Sequence, residues 1–449
     1  MRVAIAGGGL AGLTAALKAA QLGARPTLLE KGARPGGSFV LSSGYVWSYK
    51  DMPTFRSEAP GGDATLQRLI LEGLEPSLSW LDDAGGALLA RETGNPLTFG
   101  ARFDPGRTIA ALLERIRASG GEILTGTALE ELIGDTAGRV TGVRASSSGR
   151  EEEYGADAVV LASGGFGADP ELVGRHIIGG PGRMLVRAHP RSTGEGFRAA
   201  LGMGALASAG LDEFYGRNLP APPAAFPPEQ FVEVSQLYGR YAVAINARGE
   251  RYADEGADWS ETALTHATAR QPCLYAYYIL DAAGLEGRVR VRTAKEMVEA
   301  ARRTGGTVIE ASSLTELADN LAERGVPRET FLRTLKEYNA AVAAGKKTSP
   351  PRTGPTRPLR EPPFVAVKVA PAITHTIGGL AVDAGCRVIR EKDERPIPGL
   401  YAAGVEVGGV SVGGYTSGLA SALVFGKIAA ESAVADGLRH SSQSAKTKS

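Results

Sequence analysis

Cysteine is almost missing from this chain. Only Cys273 and Cys386 occur in 449 residues, far apart, without CxxC spacing and without adjacent histidines. That excludes a disulfide framework, argues against a zinc or other metal site, and fits buried free thiols in a reducing compartment. Charge of one sign is missing as well: 50 Lys and Arg stand against 49 Asp and Glu, for a net charge of +1. No basic block precedes the short Lys446-Thr447-Lys448 tail, so neither nucleic acid nor an anionic membrane surface is an expected partner. No run reads as long and apolar enough to span a bilayer. Arg2 and the small apolar residues after it imitate a signal peptide, but cleavage there would delete the motif described next. The expectation is a cytoplasmic protein without a membrane partner. Histidine is scarce too, at five; His176, His189, His266 and His440 read as structural.

What is present begins at residue 2. Arg2-Val3-Ala4-Ile5-Ala6 is a short apolar strand, Gly7-Gly8-Gly9-Leu10-Ala11-Gly12 follows, and residues 13–22 continue as helix formers. Pro26-Thr27-Leu28-Leu29 is a second apolar run, ending in Glu30. Strand, glycine turn, helix and distal acid together are the βαβ fingerprint for a dinucleotide. Gly7 permits the tight turn, Gly9 lets backbone approach a pyrophosphate, Gly12 lets the helix pack on the sheet, and Glu30 takes the ribose hydroxyls. The pyrophosphate belongs at the helix N-terminus.

At this length and with 43% apolar residues, two domains are expected. Residues 66–81 and 108–117 have helical spacing, and 122–124 is a strand. Residues 128–132, 140–143 and 152–156 read as a small antiparallel excursion. Ala158-Val159-Val160-Leu161-Ala162 is then an all-apolar strand closed by Ser163-Gly164-Gly165-Phe166-Gly167, the pattern of a central parallel strand whose end faces a ligand. Thr193-Gly194-Glu195-Gly196 opens a helix. Prolines crowd 219–228 and end regular structure there. Helices follow at 293–303, 314–323 and 328–344. The sheet domain is expected to resume at Phe364. Residues 399–404 form a last strand, and a glycine loop from Gly408 to Gly418 opens a final helix over 419–433, with a disordered polar tail from Arg439.

These motifs resemble the fumarate reductase and succinate dehydrogenase flavoprotein superfamily, in the soluble branch that includes flavocytochrome fumarate reductases, tricarballylate dehydrogenase and 3-ketosteroid Δ1-dehydrogenases. The likeness is carried by Gly7 to Gly12 with Glu30, Ala162 to Gly167, Thr193 to Gly196, Asn246-Ala247-Arg248-Gly249-Glu250-Arg251-Tyr252, Glu337-Tyr338-Asn339, Thr376-Ile377-Gly378-Gly379 and Gly399 to Gly404 with Val424-Phe425-Gly426. It implies an α/β fold: a Rossmann-like FAD-binding domain of the glutathione-reductase type (1–212 and 364–438) interrupted by an α+β cap domain (213–363), then a disordered tail (439–449). The implied FAD ligands are Gly7, Gly9, Gly12, Glu30, Lys31, Gly36, Gly37, Ser38, Ala162, Ser163, Gly164, Gly404, Val405, Glu406, Gly418, Leu419 and Ala420. Attachment is expected to be non-covalent, because the loop from Gly36 to Gly44 lacks the histidine that covalent relatives use. No second fingerprint for NAD(P)H occurs, so electrons would leave to an external acceptor or to oxygen.

Departures from the family pattern bear on the substrate. The arginine acid of fumarate reductases is missing from 254–261, and their second substrate arginine is missing from Gly413-Gly414-Tyr415-Thr416-Ser417-Gly418. A dicarboxylate would be poorly held without guanidinium geometry. Tyrosines take these places, which resembles the ketosteroid dehydrogenases: Tyr415 and the N–H of Gly418 would polarise a ketone, and another tyrosine would take a proton, with Tyr45, Tyr215 and Tyr241 as candidates beside Tyr238. His375 would meet the substrate or the flavin edge. The implied activity is desaturation next to the carbonyl of a cyclic ketone or keto acid; the alternative is a fumarate-reductase-like reduction of an unsaturated carboxylate.

Overall fold

The computed structural model describes residues 1–179, 184–258 and 261–446, with side chains as far as His440. The chain forms two compact units: Met1–Ile177, Ala188–Phe214 and His375–Ser449 make the first, Ile178–Arg187 and Tyr215–Thr374 the second.

The first unit is built on β1 (Arg2–Ala6), which is buried after Arg2. It pairs in parallel with β2 (Arg25–Glu30) on one side and with Ala158–Leu161 on the other, aligning Ile5 with Leu28 and with Val160. Pro396–Ala402 and Glu122–Thr125 extend the sheet in parallel, and Arg387–Ile389 closes one edge antiparallel. Strands covered on both faces carry unbroken apolar runs. Because five strands are parallel, Gly7, Glu30, Ala162 and Ala403 all emerge at the same edge of the sheet. That edge is where ligands of such sheets bind. Helix α1 (Leu10–Gln21) lies buried along most of its length and packs closely on the final helix; a Cβ on Gly426 would come 2.7 Å from the Ala11 carbonyl oxygen. The expected antiparallel excursion is present as Thr127–Gly134, Val140–Ser147 and Arg150–Gly155.

Two elements differ from expectation in this unit. Residues 45–49, read as part of a loop, are strand β3 (Tyr45–Tyr49), paired antiparallel with Thr98–Phe103. The final helix spans Gly418–Lys446, past the end expected at residue 433 and into the tail expected to be disordered. No proline or glycine follows Gly437 to stop it; residues 447–449 lie outside the described residues. Its segment Gly418–His440 is also long and apolar enough, by length and composition, to cross a membrane. That corrects the sequence expectation; 61% of its most apolar window is buried inside the protein, so its apolarity serves a core helix.

The second unit centres on Phe364–Thr376, a strand that pairs antiparallel with Ala276–Leu280 and Val308–Ala311 and in parallel with Leu185–Val186. Most of this strand therefore belongs with the second unit, where the sequence pattern returned the chain to the parallel sheet at Phe364; a fully buried apolar run reads alike in either sheet. Ala294–Arg303, Leu314–Ala322 and Arg328–Ala343 are the three expected helices. Thr293 and Glu296 form a capping box on the first, and Ser313 caps the second.

Candidate functional site

Strand ends in the first unit carry the glycine motif and the buried acid. Gly7 has φ +108°, and a Cβ there would stand 2.3 Å from the Ala162 carbonyl oxygen; only glycine lets the two strand ends approach. A Cβ on Gly12 would stand 1.9 Å from the Gly7 carbonyl oxygen. Gly9 is different. It is the extended N-cap of α1 with no side-chain capping bond, and a Cβ there meets nothing nearer than Gly37 Cα at 4.0 Å. Open space thus adjoins a helix start whose N–H groups have no side-chain acceptor, the arrangement that receives an anion. Glu30 is buried, and its carboxylate accepts from Gly8 N at 2.9 Å and Gly32 N at 2.6 Å. Lys31, expected at the cofactor, donates its ammonium to Glu195 at 2.5 Å and Thr193 at 2.7 Å. Gly36 N donates to the Gly8 carbonyl, and Ser38 Oγ accepts from His189 N.

Ser163 donates to the carboxylate of Glu406, and Gly165 N donates to the same oxygen at 3.1 Å. The second oxygen, Oε2, is buried without a partner. Burial holds this carboxyl above the usual carboxylate range, against the hydrogen bonds from Ser163 and Gly165. Nearby, a cavity is lined by His375, Thr376, Gly404, Val405, Thr416 and Gly418 among others, none of them Arg or Lys. The hydroxyls of Thr376 and Thr416 are buried there without partners. Leu419 and Ala420 continue the helix that starts at Gly418.

The expected catalytic residues divide between the two units. His375, Tyr415 and Gly418 come together in the first: the His375 and Tyr415 rings lie 6.1 Å apart, and a Cβ on Gly418 would come 3.1 Å from His375 Nε2. His375 Nδ1 lies 3.1 Å from the Thr376 carbonyl oxygen; a carbonyl only accepts, so Nδ1 carries the proton and Nε2 of the neutral ring is an acceptor. Burial lowers its pKa to about 4, so at neutral pH it brings no positive charge to a carboxylate. Tyr45 lies in β3 with the Arg102 guanidinium 5.3 Å from its ring, and its carbonyl accepts from Ser417 Oγ at 3.4 Å.

In the second unit, Tyr215 has the Arg217 guanidinium 4.8 Å from its ring centre. Tyr241 donates its hydroxyl to the Arg288 carbonyl at 2.9 Å. Tyr238 is fully buried, its hydroxyl donating to Gln236 Oε1 at 2.7 Å, and burial raises its pKa well above that of an ordinary phenol.

Sequence reasoning missed Trp47 and Tyr49. Both lie on the Tyr415 side of β3: Trp47 is 5.4 Å from the Tyr415 ring, and the Tyr49 hydroxyl donates to the Tyr415 carbonyl at 2.6 Å. The period-two pattern Tyr45, Trp47, Tyr49 was the available signal. It also missed Glu261, a buried carboxyl at φ +55° in the second unit, whose Oε1 has no partner. Burial raises its pKa to about 8, against the opposing pull of Arg217.

The sign of that shift is testable. The unfolded carboxyl loses its proton near 4.5 and the folded one near 8, so folding takes up a proton between them and stability falls as pH rises through that window. Glu261→Gln is expected to flatten that slope and to raise stability at pH 8, read as urea midpoints at pH 5 and pH 8; an unchanged slope would refute the assignment.

Comparison with known proteins adds relatives. A family model described as FAD binding domain matches residues 2–70 and 83–423. The chain is 28% identical over 460 residues to the NADH:fumarate oxidoreductase of Klebsiella pneumoniae (strain 342), covering 96% of this chain and 47% of that protein. It is 27% identical over 339 residues to the 4-oxocyclohexanecarboxylate 2-dehydrogenase of Sinomonas cyclohexanicum, covering 68% of this chain and 56% of that protein. The chain therefore spans about half the length of these two relatives. Its fold matches the open conformation of a flavocytochrome c3 fumarate reductase with a TM-score of 0.75 at 24% identity, over 97% of this chain and 78% of the other. It matches the 3-ketosteroid Δ1-dehydrogenase of Sterolibacterium denitrificans, solved with 1,4-androstadiene-3,17-dione, with a TM-score of 0.76 at 19% identity, over 96% and 99%.

Proposed function

The chain belongs to the FAD binding domain family, and from that premise we propose that it is a flavin-dependent dehydrogenase that introduces a C=C bond next to the carbonyl of a cyclic ketone or keto acid. The residues present fit FAD: the open space at Gly9 suits a pyrophosphate, Glu30 the ribose, and the orphaned Thr376 and Thr416 hydroxyls and Glu406 Oε2 supply hydrogen-bond capacity that the protein itself leaves unused. FAD, when bound, supplies a hydride acceptor.

The chain's own task is to make the α-carbon acidic and to take its proton. The Tyr415 hydroxyl and the Gly418 N–H donate to the ketone oxygen and stabilise the enolate charge that develops as the proton leaves. A tyrosine receives that proton. Tyr241 is the weaker candidate, its hydroxyl being engaged by Arg288; Tyr45 and Tyr215 each have a guanidinium beside the ring, a cation near a phenol that must pass through its anion. The products are the enone and reduced flavin, whose electrons pass to an external acceptor or oxygen.

The observation that carries this reading is the meeting of His375, Tyr415 and Gly418, with no Arg or Lys in the glycine loop from Gly408 to Gly418. The Tyr415 phenol can donate to a ketone oxygen, and the neutral His375 brings none of the positive charge that a dicarboxylate would need. The name of the Sinomonas relative, a dehydrogenase of a cyclic keto acid, supports the same substrate class. The name of the Klebsiella relative supports a second reading, reduction of an unsaturated carboxylate.

Anaerobic mixing separates the two. 4-Oxocyclohexanecarboxylate or a 3-ketosteroid is expected to bleach the oxidised flavin band. If a broad ketone panel leaves the band intact while fumarate or urocanate rapidly reoxidises dithionite-reduced protein, the second reading replaces the first.

A further inference from the structure

We propose that Tyr49 is a positioning residue that sets Tyr415 for the reaction, an inference that rests on Tyr415 being the donor to the ketone. The chain around Tyr415 includes Gly408, Gly409, Gly413, Gly414 and Gly418, so its backbone has little intrinsic preference and must be held from outside. Part of that hold acts upstream of Tyr415: Gln67 donates to the Val410 carbonyl, and Gly61 N donates to the Val412 carbonyl.

Tyr415 itself is met by β3. The buried Tyr49 hydroxyl donates to its carbonyl at 2.6 Å, and Trp47 meets its ring at 5.4 Å, close to edge-on. Residues 47 and 49 lie on one face of the strand, so a single rigid element grips the backbone and the ring together. Tyr49 is itself fixed, its ring 5.5 Å from Trp47 and 5.1 Å from Phe55 and its backbone paired with Thr98. Removing the hydroxyl takes this hydrogen bond from the Tyr415 carbonyl while leaving that packing in place. The loop can then rotate, and the Tyr415 hydroxyl leaves the position at which it meets the developing oxyanion. A misplacement of about 1 Å costs up to roughly 100-fold in rate.

The test is a double-mutant cycle on the FAD-loaded protein, reading the rate of flavin bleaching by 4-oxocyclohexanecarboxylate at several concentrations. Tyr49→Phe is expected to lower the maximal rate about 10-fold, with the half-saturating concentration within about twofold and the FAD content unchanged. In a Tyr415→Phe background the same substitution is expected to change nothing further, because it acts through the hydroxyl already removed. A rate loss of equal size in both backgrounds, or none in the wild-type background, overturns the role of Tyr49 and leaves the reading of Tyr415 standing. A Tyr415→Phe protein that keeps the full rate, or a wild-type flavin that this ketone does not bleach, overturns both.

Discussion

Tyr415→Phe is expected to slow flavin bleaching by a ketone about 10²- to 10³-fold, the usual cost of removing one donor to a developing oxyanion, while the FAD content stays that of the wild type. The substitution keeps the backbone and the ring contacts that place this residue. Its carbonyl is held by Tyr49, and its ring stays 5.4 Å from that of Trp47 and 6.1 Å from that of His375. What disappears is one hydroxyl. His375 cannot replace it: its Nδ1 proton is directed at the Thr376 carbonyl, and at neutral pH its Nε2 is an acceptor. The Gly418 N–H would remain as the other donor, so a residual rate is expected. A variant that bleaches within twofold of the wild type would show that Tyr415 only packs, and the ketone reading would lose its main support.

What was legible in the sequence, and what was not, follows from how local each requirement is. Gly7 and Gly12 are demanded by atoms a few residues or one strand away, at 2.3 Å and 1.9 Å, so spacing alone announces them. The three expected helices of the second unit carry apolar stripes, the first two their own side-chain caps and the third Pro327 at its start, and their ends lie within one residue of the expected ones. Tyr49 is hidden because Ser42, Ser43 and Gly44 make its surroundings look like a loop; the strand exists through pairing with Thr98–Phe103, with Tyr49 opposite Thr98 and Tyr45 opposite Arg102, far along the chain. Phe364–Thr376 was placed with the parallel sheet because a buried apolar run carries no mark of its partner. Glu261 is the extreme case. A glutamate in a run of acids reads as a solvated surface, and only tertiary burial, against the opposing pull of Arg217, raises its pKa to about 8.

Gly9→Ala is expected to yield a folded protein that has lost its flavin, with affinity for FAD lowered at least about 100-fold, a loss of roughly 3 kcal/mol. The argument rests on a contrast within one motif. Alanine at Gly7 or Gly12 would collide with a carbonyl of the protein itself, and at Gly7 would also need a positive φ, so either variant would damage the fold before it tested the ligand. Gly9 has φ −75° and ψ −176°, which any residue adopts. An added methyl would touch only Gly37 Cα, at 4.0 Å, an ordinary van der Waals distance. Nothing in the protein requires glycine there. The requirement has to come from something else that occupies the space in front of the α1 N-terminus, and a pyrophosphate approaching bare N–H groups is the occupant that geometry and charge both suit. Helix capping adds only a small penalty, since alanine is a poorer N-cap than glycine by about 1 kcal/mol or less. The ratio of flavin to protein absorbance and the urea midpoint, taken on the same sample, separate the two effects. A full flavin complement in Gly9→Ala would refute the placement of the pyrophosphate at Gly9; lost flavin with a near-normal midpoint would show that this glycine is kept for the ligand and not for the fold.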